Sequence, residues 1–301
     1  MSTNQNSDSI YKINKQWLSQ SFGEAASSYD EVAVLQREIA DRLFARLEYI
    51  QLKPDSILDL GSGTGYCSKL LDGKFNKANV YALDISHQML TYARAQRGFF
   101  QRLRNPQYYL CGDAERLPIQ DDAVDMVFSS LALQWCFDLD KTFSDLRRVI
   151  KPGGLLMFAT LGPDTLKELR SSWRAVDDKS HVSAFIDMHD IGDALMRAGF
   201  SGPVMDVENI TLTYSSVNNL MKDLKKLGSR NALQGRPGGL MGKNKMKQMI
   251  SNYEKYRTEE GVLPATYEVV YGHAWVPEEG ARPSVTGTAM PNDFPIPVRV
   301  K

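Results

Sequence analysis

From Ser56 onward, short apolar and β-branched runs alternate with segments whose apolar positions recur every three or four residues. That is the rhythm of strand followed by helix. Ser56 to Leu60 is the first run, closing at Gly61; Asn79 to Asp84, Tyr108 to Asp113, Ala123 to Ser130 and Leu155 to Thr160 follow. Between them, helices are expected from about Gly65 to Leu71, from Ser86 to Arg97 with Ser86 as N-cap and Met89, Leu90 and Ala93 on one face, and from Phe143 to Ile150. Lys151-Pro152-Gly153-Gly154 reads as the stop signal of the last of these. Repeated strand–helix units of this kind imply a parallel sheet covered on both faces.

The flanks are less regular. Leu35, Ile39, Leu43 and Leu47 give Val32 to Ile50 a helical period, whereas the stretch before it, up to Asp30, is small residues with isolated aromatics; residues 1–52 are read as an N-terminal helical cap. After the fifth strand, helices are expected over Asp164 to Val176 and Met188 to Gly199, and strands over Val204 to Tyr214 and Tyr267 to Trp275. The pattern divides the chain into an α/β core over 53–215, a mostly helical, glycine-interrupted insertion over 216–262, a closing strand over 263–276 and a loose tail over 277–301.

Composition narrows the class. With 301 residues, 43% of them hydrophobic, the chain can bury a large core. Lys plus Arg equals Asp plus Glu at 36 each, so the balance marks neither a nucleic-acid nor a membrane binder, and any electrostatic partner must be met by a local cluster. Cys67, Cys111 and Cys136 are too widely spaced for a zinc site and odd in number, which suggests reduced thiols. Met1 to Asp8 lacks the basic and apolar regions of a signal peptide, and no run is long enough to span a bilayer; a cytoplasmic protein is expected.

The candidate chemistry sits at the strand ends. Gly61, Gly63 and Gly65 follow strand one on alternate positions, in a turn that lets backbone pass close beneath a ligand and leaves the next helix's N–H groups free. The dinucleotide fingerprint would need glycine where Tyr66 stands. Asp84 closes strand two, where a carboxylate can accept both hydroxyls of a ribose, and Asp113 closes strand three beside the place of an adenine.

These residues carry a resemblance. Leu58-Asp59-Leu60-Gly61-Ser62-Gly63-Thr64-Gly65, the Asp84 strand end, Gly112-Asp113-Ala114-Glu115-Arg116-Leu117-Pro118 and Leu146 to Gly154 are similar to the successive motifs of class I S-adenosylmethionine-dependent methyltransferases. The resemblance implies a Rossmann-like seven-stranded sheet with a reversed last strand, Tyr267 to Trp275. It also implies S-adenosyl-L-methionine as cofactor. Asp59, Gly61 and Gly63 would lie along the methionine part, Asp84 on the ribose, Asp113 and Ala114 at the adenine with Met89 packed against it, and Ser130 at the end of strand four would complete the site.

A second resemblance covers nearly the whole chain up to Pro277. Phe22 to Asp30, Ser129 to Trp135, Thr160 to Leu169, Leu224 to Arg236 and Tyr267 to Trp275 resemble the malonyl-acyl-carrier-protein O-methyltransferases of biotin synthesis. The implied reaction methylates the free carboxylate of a malonyl thioester, with Tyr29 and Trp135 walling the transfer chamber, Gln134 donating to an acceptor oxygen and Arg236 gripping the anion. Between Lys222 and Arg257 stand ten basic residues against two acids, a surface suited to steering an acidic carrier protein, with Arg94, Arg97, Arg102 and Arg104 as a smaller cluster. RNA is a weaker fit to that stretch, whose aromatics are Tyr253 and Tyr256. Two other readings stay open: the arginine-hydroxylating complex I assembly factors on the same fold, against which the absence of a mitochondrial presequence counts, and a non-catalytic S-adenosylmethionine-binding interaction module.

Overall fold

A computed structural model describes residues 13–98, 106–228 and 242–278. Seven strands form one sheet in the order β3-β2-β1-β4-β5-β7-β6. They are β1 (Ser56–Leu60), β2 (Asn79–Asp84), β3 (Gln107–Cys111), β4 (Val124–Ser130), β5 (Ile150–Leu161), β6 (Ser201–Tyr214) and β7 (Leu263–Trp275). The first five run parallel, and β7 lies antiparallel between β5 and β6. This is the seven-stranded class I sheet with its reversed last strand, as the resemblance implied.

The strands are two-faced where they are most buried. Along β5, Leu155, Met157 and Ala159 pack into one core and Leu156 and Phe158 into the other; along β4, Met126 and Phe128 are split from Val127 in the same way. Successive side chains point to opposite faces, so a run that is apolar throughout is a strand covered on both sides. One core is closed by α3 (Val34–Ala45), α7 (Lys167–Arg174), α9 (Val217–Lys226) and α10 (Lys243–Tyr253), the other by α6 (Leu139–Val149) and α8 (Met188–Arg197).

Several boundaries move. Strand β5 begins at Ile150 and contains the Lys151 to Gly154 stretch, because Lys151 is not simply a helix terminator: its ammonium pairs with Asp125 at 2.7 Å. The same Asp125 carboxylate accepts from the Ser56 N–H at 2.8 Å and Oγ at 2.7 Å, lashing together the starts of β1, β4 and β5. Helix α6 begins a turn earlier than expected, where the Asp138 side chain accepts from the Lys141 N–H at 3.0 Å.

The larger revision is N-terminal. A full helix, α1 (Lys15–Ala25), capped by Asn14, runs into the small-residue stretch and is followed by the short α2 (Tyr29–Val32). Helix α1 lies on α5 (His87–Gln96), close enough that a Cβ on Gly23 would meet the Gln88 side chain at 2.9 Å. Ser19 Oγ donates to the Ile85 carbonyl at 2.9 Å. Ser86 caps α5 as expected, and Met89, Leu90 and Ala93 form its buried face.

Close approach at the sheet centre makes one glycine structural. Gly272 on β7 faces Phe158 on β5 in register, and a Cβ there would stand 2.3 Å from the buried Phe158 ring. Gly272→Ala is therefore expected to lower unfolding stability by about 1–3 kcal/mol through overpacking. Denaturant unfolding monitored by circular dichroism checks it; an unchanged midpoint would mean the ring moves aside freely.

Candidate functional site

The sheet order reverses direction between β1 and β4, and a crevice opens there at the carboxyl ends of the strands, the usual ligand position in such sheets. Its floor is the glycine turn. The N–H groups of Gly61 and Ser62 both donate to the Leu83 carbonyl, at 2.8 and 3.0 Å, which ties the turn to the end of β2. Gly61 adopts φ +76°, and a Cβ there would collide with Ala132 at 2.3 Å; Gly63 adopts φ +52°, with open space where its Cβ would project. The first glycine is demanded by its neighbour, the second by the left-handed backbone and by the ligand space above it.

Asp84 holds this turn in place. Its carboxylate accepts the Gly63 N–H at 2.9 Å and the Ser86 N–H at 2.8 Å, joining the glycine turn, the end of β2 and the start of α5. Burial raises its pKa and those two N–H groups pull it back. Across the crevice, Lys15 of α1 reaches Asp113 at 2.9 Å and Glu115 at 2.8 Å.

The resulting cavity brings together most of the expected cofactor residues: Gly61, Gly63, Asp84, Met89, Asp113, Ala114 and Ser130. Asp59 is the exception. It is 1% exposed, does not line the cavity, and accepts from the Ser68 hydroxyl, bracing β1 against α4 (Tyr66–Lys74). Burial pushes its pKa up to about 7, with the Ser68 hydroxyl opposing and Asp84 adding to the rise.

A second, larger cavity lies against the first. Phe22, Tyr29, Leu131 and Trp135 line both, so these four side chains form a shared wall. Trp135 meets Phe22 edge-on, with ring centroids 5.6 Å apart. Tyr29 is steadied through its neighbour Asp30, which accepts from the Thr64 hydroxyl of the glycine turn at 2.8 Å. Leu131 sits at φ +57°, an uncommon backbone for a branched residue, and strain of this kind persists where surroundings enforce it. The Gln134 carboxamide supplies part of that enforcement: its Nε2 donates to the Leu131 carbonyl at 2.7 Å. One N–H of Gln134 is thus already engaged.

The second cavity contains residues that motif reading passed over. His181 lines it, stacked on Trp173 at 3.9 Å with its Nε2 2.7 Å from the Asp177 carboxylate, which Lys245 also meets at 2.7 Å. Trp173, Asp177 and His181 stand four residues apart, a spacing that could have suggested one cluster. Gln36 of α3 lines the same cavity. Arg236, Arg102 and Arg104 lie outside the described residues.

Known proteins share both the motifs and the fold. A Methyltransferase domain model matches residues 58–158. A malonyl-(acyl-carrier protein) O-methyltransferase of Gallionella capsiferriformans is 51% identical over 269 residues, 89% of this chain and 92% of the relative. The protein of the same description from Methylovorus sp. is 49% identical over 270 residues, 89% and 91% of the two chains. The chain belongs to the malonyl-(acyl-carrier protein) O-methyltransferase family. The fold is also that of phosphoethanolamine N-methyltransferase 2 of Haemonchus contortus, solved with S-adenosyl-L-methionine, at TM-score 0.50 and 20% identity over 79% of this chain and 53% of the other.

S-adenosyl-L-methionine is the cofactor of this enzyme, and the crevice suits it. The Ser62 hydroxyl within the turn is buried without a partner, Gly63 leaves space above it, Asp84 stands at a strand end with two fixed donors behind it, and apolar Met89 and Leu18 offer a face for a base. Asp84 would hold the ribose and Ala114 with Met89 the adenine.

The buried acid gives a prediction. Because the Asp59 carboxyl is raised in the folded state, the folded protein binds more protons than the unfolded chain between about pH 4 and pH 7, so Asp59 makes stability fall as pH rises through that window. Asp59→Asn is expected to flatten that fall, read as a smaller difference in unfolding free energy between about pH 5 and about pH 8. An unchanged pH profile would show that the group titrates elsewhere.

Proposed function

We propose that the wall of Phe22, Tyr29, Leu131 and Trp135 is where methyl transfer occurs. On this reading the enzyme transfers the methyl group of S-adenosyl-L-methionine to the free carboxylate of a malonyl thioester on acyl carrier protein, giving the methyl ester that opens pimeloyl synthesis for biotin. The single observation that carries the placement is the sharing of those four side chains by a polar-floored crevice and an apolar cavity. On this reading the cofactor and the acceptor, held in the two cavities, meet across that wall.

S-adenosyl-L-methionine supplies an electrophilic methyl on a positively charged sulfur. The malonyl carboxylate is already ionised near neutrality, so the chain has no proton to remove. Tyr29 fits that economy. Burial, with Asp84 and Asp30 beside it, drives its phenol well above the ordinary tyrosine value, which leaves it a neutral hydrogen-bonding group rather than a base. The proposed work of Tyr29 and Trp135 is alignment of the nucleophilic oxygen and exclusion of water, the two means by which a positioned pair reacts faster than a free one. Gln134 acts on this reading by holding Leu131 in its left-handed backbone, with its remaining N–H free to meet an acceptor oxygen. Arg236, read from the sequence alone, is the proposed cation for the substrate's anionic end.

The carrier protein is proposed to approach over α9 and α10. Lys222, Lys225 and Lys226 on α9 and Lys243, Lys245 and Lys247 on α10 offer their charges there, and Lys225 also borders the second cavity. Lys245 is committed to Asp177 and Lys226 stands 3.5 Å from Glu31, so Lys222, Lys225, Lys243 and Lys247 are the better steering charges. Arg97 of the smaller cluster pairs with Asp72 at 2.9 Å, which argues for a structural role there.

Purified protein incubated with S-adenosyl-L-methionine and malonyl-acyl carrier protein is expected to yield a carrier species heavier by a single methyl, removable by mild base. Trp135→Ala should reduce that yield by about tenfold or more while binding of S-adenosylhomocysteine weakens far less, since misplacement across a reacting gap costs rate chiefly. Intact-mass spectrometry reads the first and calorimetry the second. No mass gain despite cofactor binding would sink the carboxyl methylation.

A further inference from the structure

We propose that Gln36 is a positioning and specificity residue for the acyl thioester, pairing through its carboxamide with the amide that follows the thioester sulfur on the carrier arm. The proposal rests on the reading of the second cavity as the acceptor chamber. Gln36 stands on α3 between the core residue Leu35 and Arg37, and Arg37 is occupied with the Asp30 carbonyl at 2.7 Å. The Gln36 side chain lines the large cavity but not the cofactor crevice. Its Oε1 is shielded from solvent and has no hydrogen-bond partner.

Among the described residues, two other buried side-chain atoms share that condition, the hydroxyls of Ser62 and Tyr271. Ser62 lies in the cofactor turn, and the Tyr271 ring lies under the Arg46 guanidinium at 3.8 Å. Gln36 is the one of the three that lines the acceptor side. A buried acceptor left unmet costs on the order of 1–3 kcal/mol, and that cost is removed when a ligand brings the missing donor.

Chemistry selects the donor. The reacting end of a malonyl thioester carries a carboxylate, a methylene, a carbonyl and sulfur, which provide acceptors and no N–H or O–H. The first donor along the arm is the secondary amide beyond the sulfur, a unit common to thioesters of carrier proteins and of coenzyme A. A turn about the soft last torsion of the side chain brings the Gln36 oxygen to the cavity, where this N–H can meet it while the carbonyl takes the Gln36 N–H, so the carboxamide is matched at both ends. The surrounding wall is mostly apolar, with Leu35, Met221 and Leu224 nearby in the lining, and such a wall gives a single placed polar group strong discrimination. Gln36 would thereby fix how far the arm enters and so where the carboxylate stands relative to Tyr29 and Trp135.

The test compares two small malonyl thioesters, one of N-acetylcysteamine, which keeps the amide, and one of a simple alkyl thiol of similar length, which lacks it. Wild-type protein is expected to favour the amide-bearing thioester by about tenfold in kcat/KM, the equivalent of a single hydrogen bond. In Gln36→Leu the preference should collapse towards unity, with S-adenosylhomocysteine binding unchanged and the melting temperature equal or higher, because an unmet buried acceptor has been removed. Gln36→Glu, which keeps the acceptor and loses the donor, should retain part of the preference. A preference that survives in Gln36→Leu overturns the proposal, as does a Gln36→Leu protein that is less stable and equally impaired on both thioesters. Wild-type protein that methylates neither thioester nor malonyl-acyl carrier protein removes the acceptor-chamber reading itself, and the Gln36 assignment with it.

Discussion

The Asp84 carboxylate is the interaction on which the site depends. It accepts N–H groups from Gly63 and Ser86, at 2.9 and 2.8 Å, so a single side chain at the end of β2 fixes both the turn after β1 and the helix after itself. Neither donor is a side chain, so the geometry is set by backbone and tolerates little relaxation. The turn in turn holds Thr64, which donates to Asp30 at 2.8 Å, and Asp30 places Tyr29. A contact made to steady a glycine turn thus reaches the wall where the two cavities meet.

That wall explains the division of the chain. The sheet and the turn form a cofactor crevice that many methyltransferases could use. The second cavity, proposed to take the acyl arm, is walled by pieces added around the sheet: α1, α2 and α3 before it, the segment after β4 that carries Leu131 and Trp135, α7 and the segment after it, and α9 inserted before β7. Their shared product is a largely apolar chamber, bordered by Lys225, in which polar groups are few: Gln36, Gln134, Thr165, Ser183, the hydroxyl-bearing Tyr29 and Tyr267, and the His181 bound to Asp177. In a largely apolar chamber each placed polar atom counts for more than it would in water.

The sheet was legible because its inner strands β1, β4 and β5 are buried on both faces and therefore read as largely unbroken apolar runs. The residues that line the crevice were legible for a related reason: a close backbone approach demands glycine, and Asp84 closes an apolar strand run. Asp59 shows the limit. Its position in the motif suggested contact with ligand, but its buried bond to Ser68 makes it a brace, and nothing in the order of residues separates these roles. Helix α1 is hard to see in the sequence because small and polar residues separate its few apolar ones, Trp17, Leu18, Phe22 and Ala25, and leave a weak apolar stripe; it is held by contacts with α5 and by Lys15 on Asp113 and Glu115. The second cavity was hidden most deeply, since its walls are drawn from Phe22 to Tyr267 and no local period connects them.

The central claim is that cofactor and acceptor meet across a wall made by Phe22, Tyr29, Leu131 and Trp135. The most direct measurement is a crystal structure of the protein with S-adenosylhomocysteine and a malonyl thioester bound together. The expected density has the sulfur on the Gly63 and Asp84 side, the malonyl carboxylate facing it between Tyr29 and Trp135, and the arm extending through the second cavity. An arm lodged outside that cavity, or a carboxylate remote from those two rings, would contradict it.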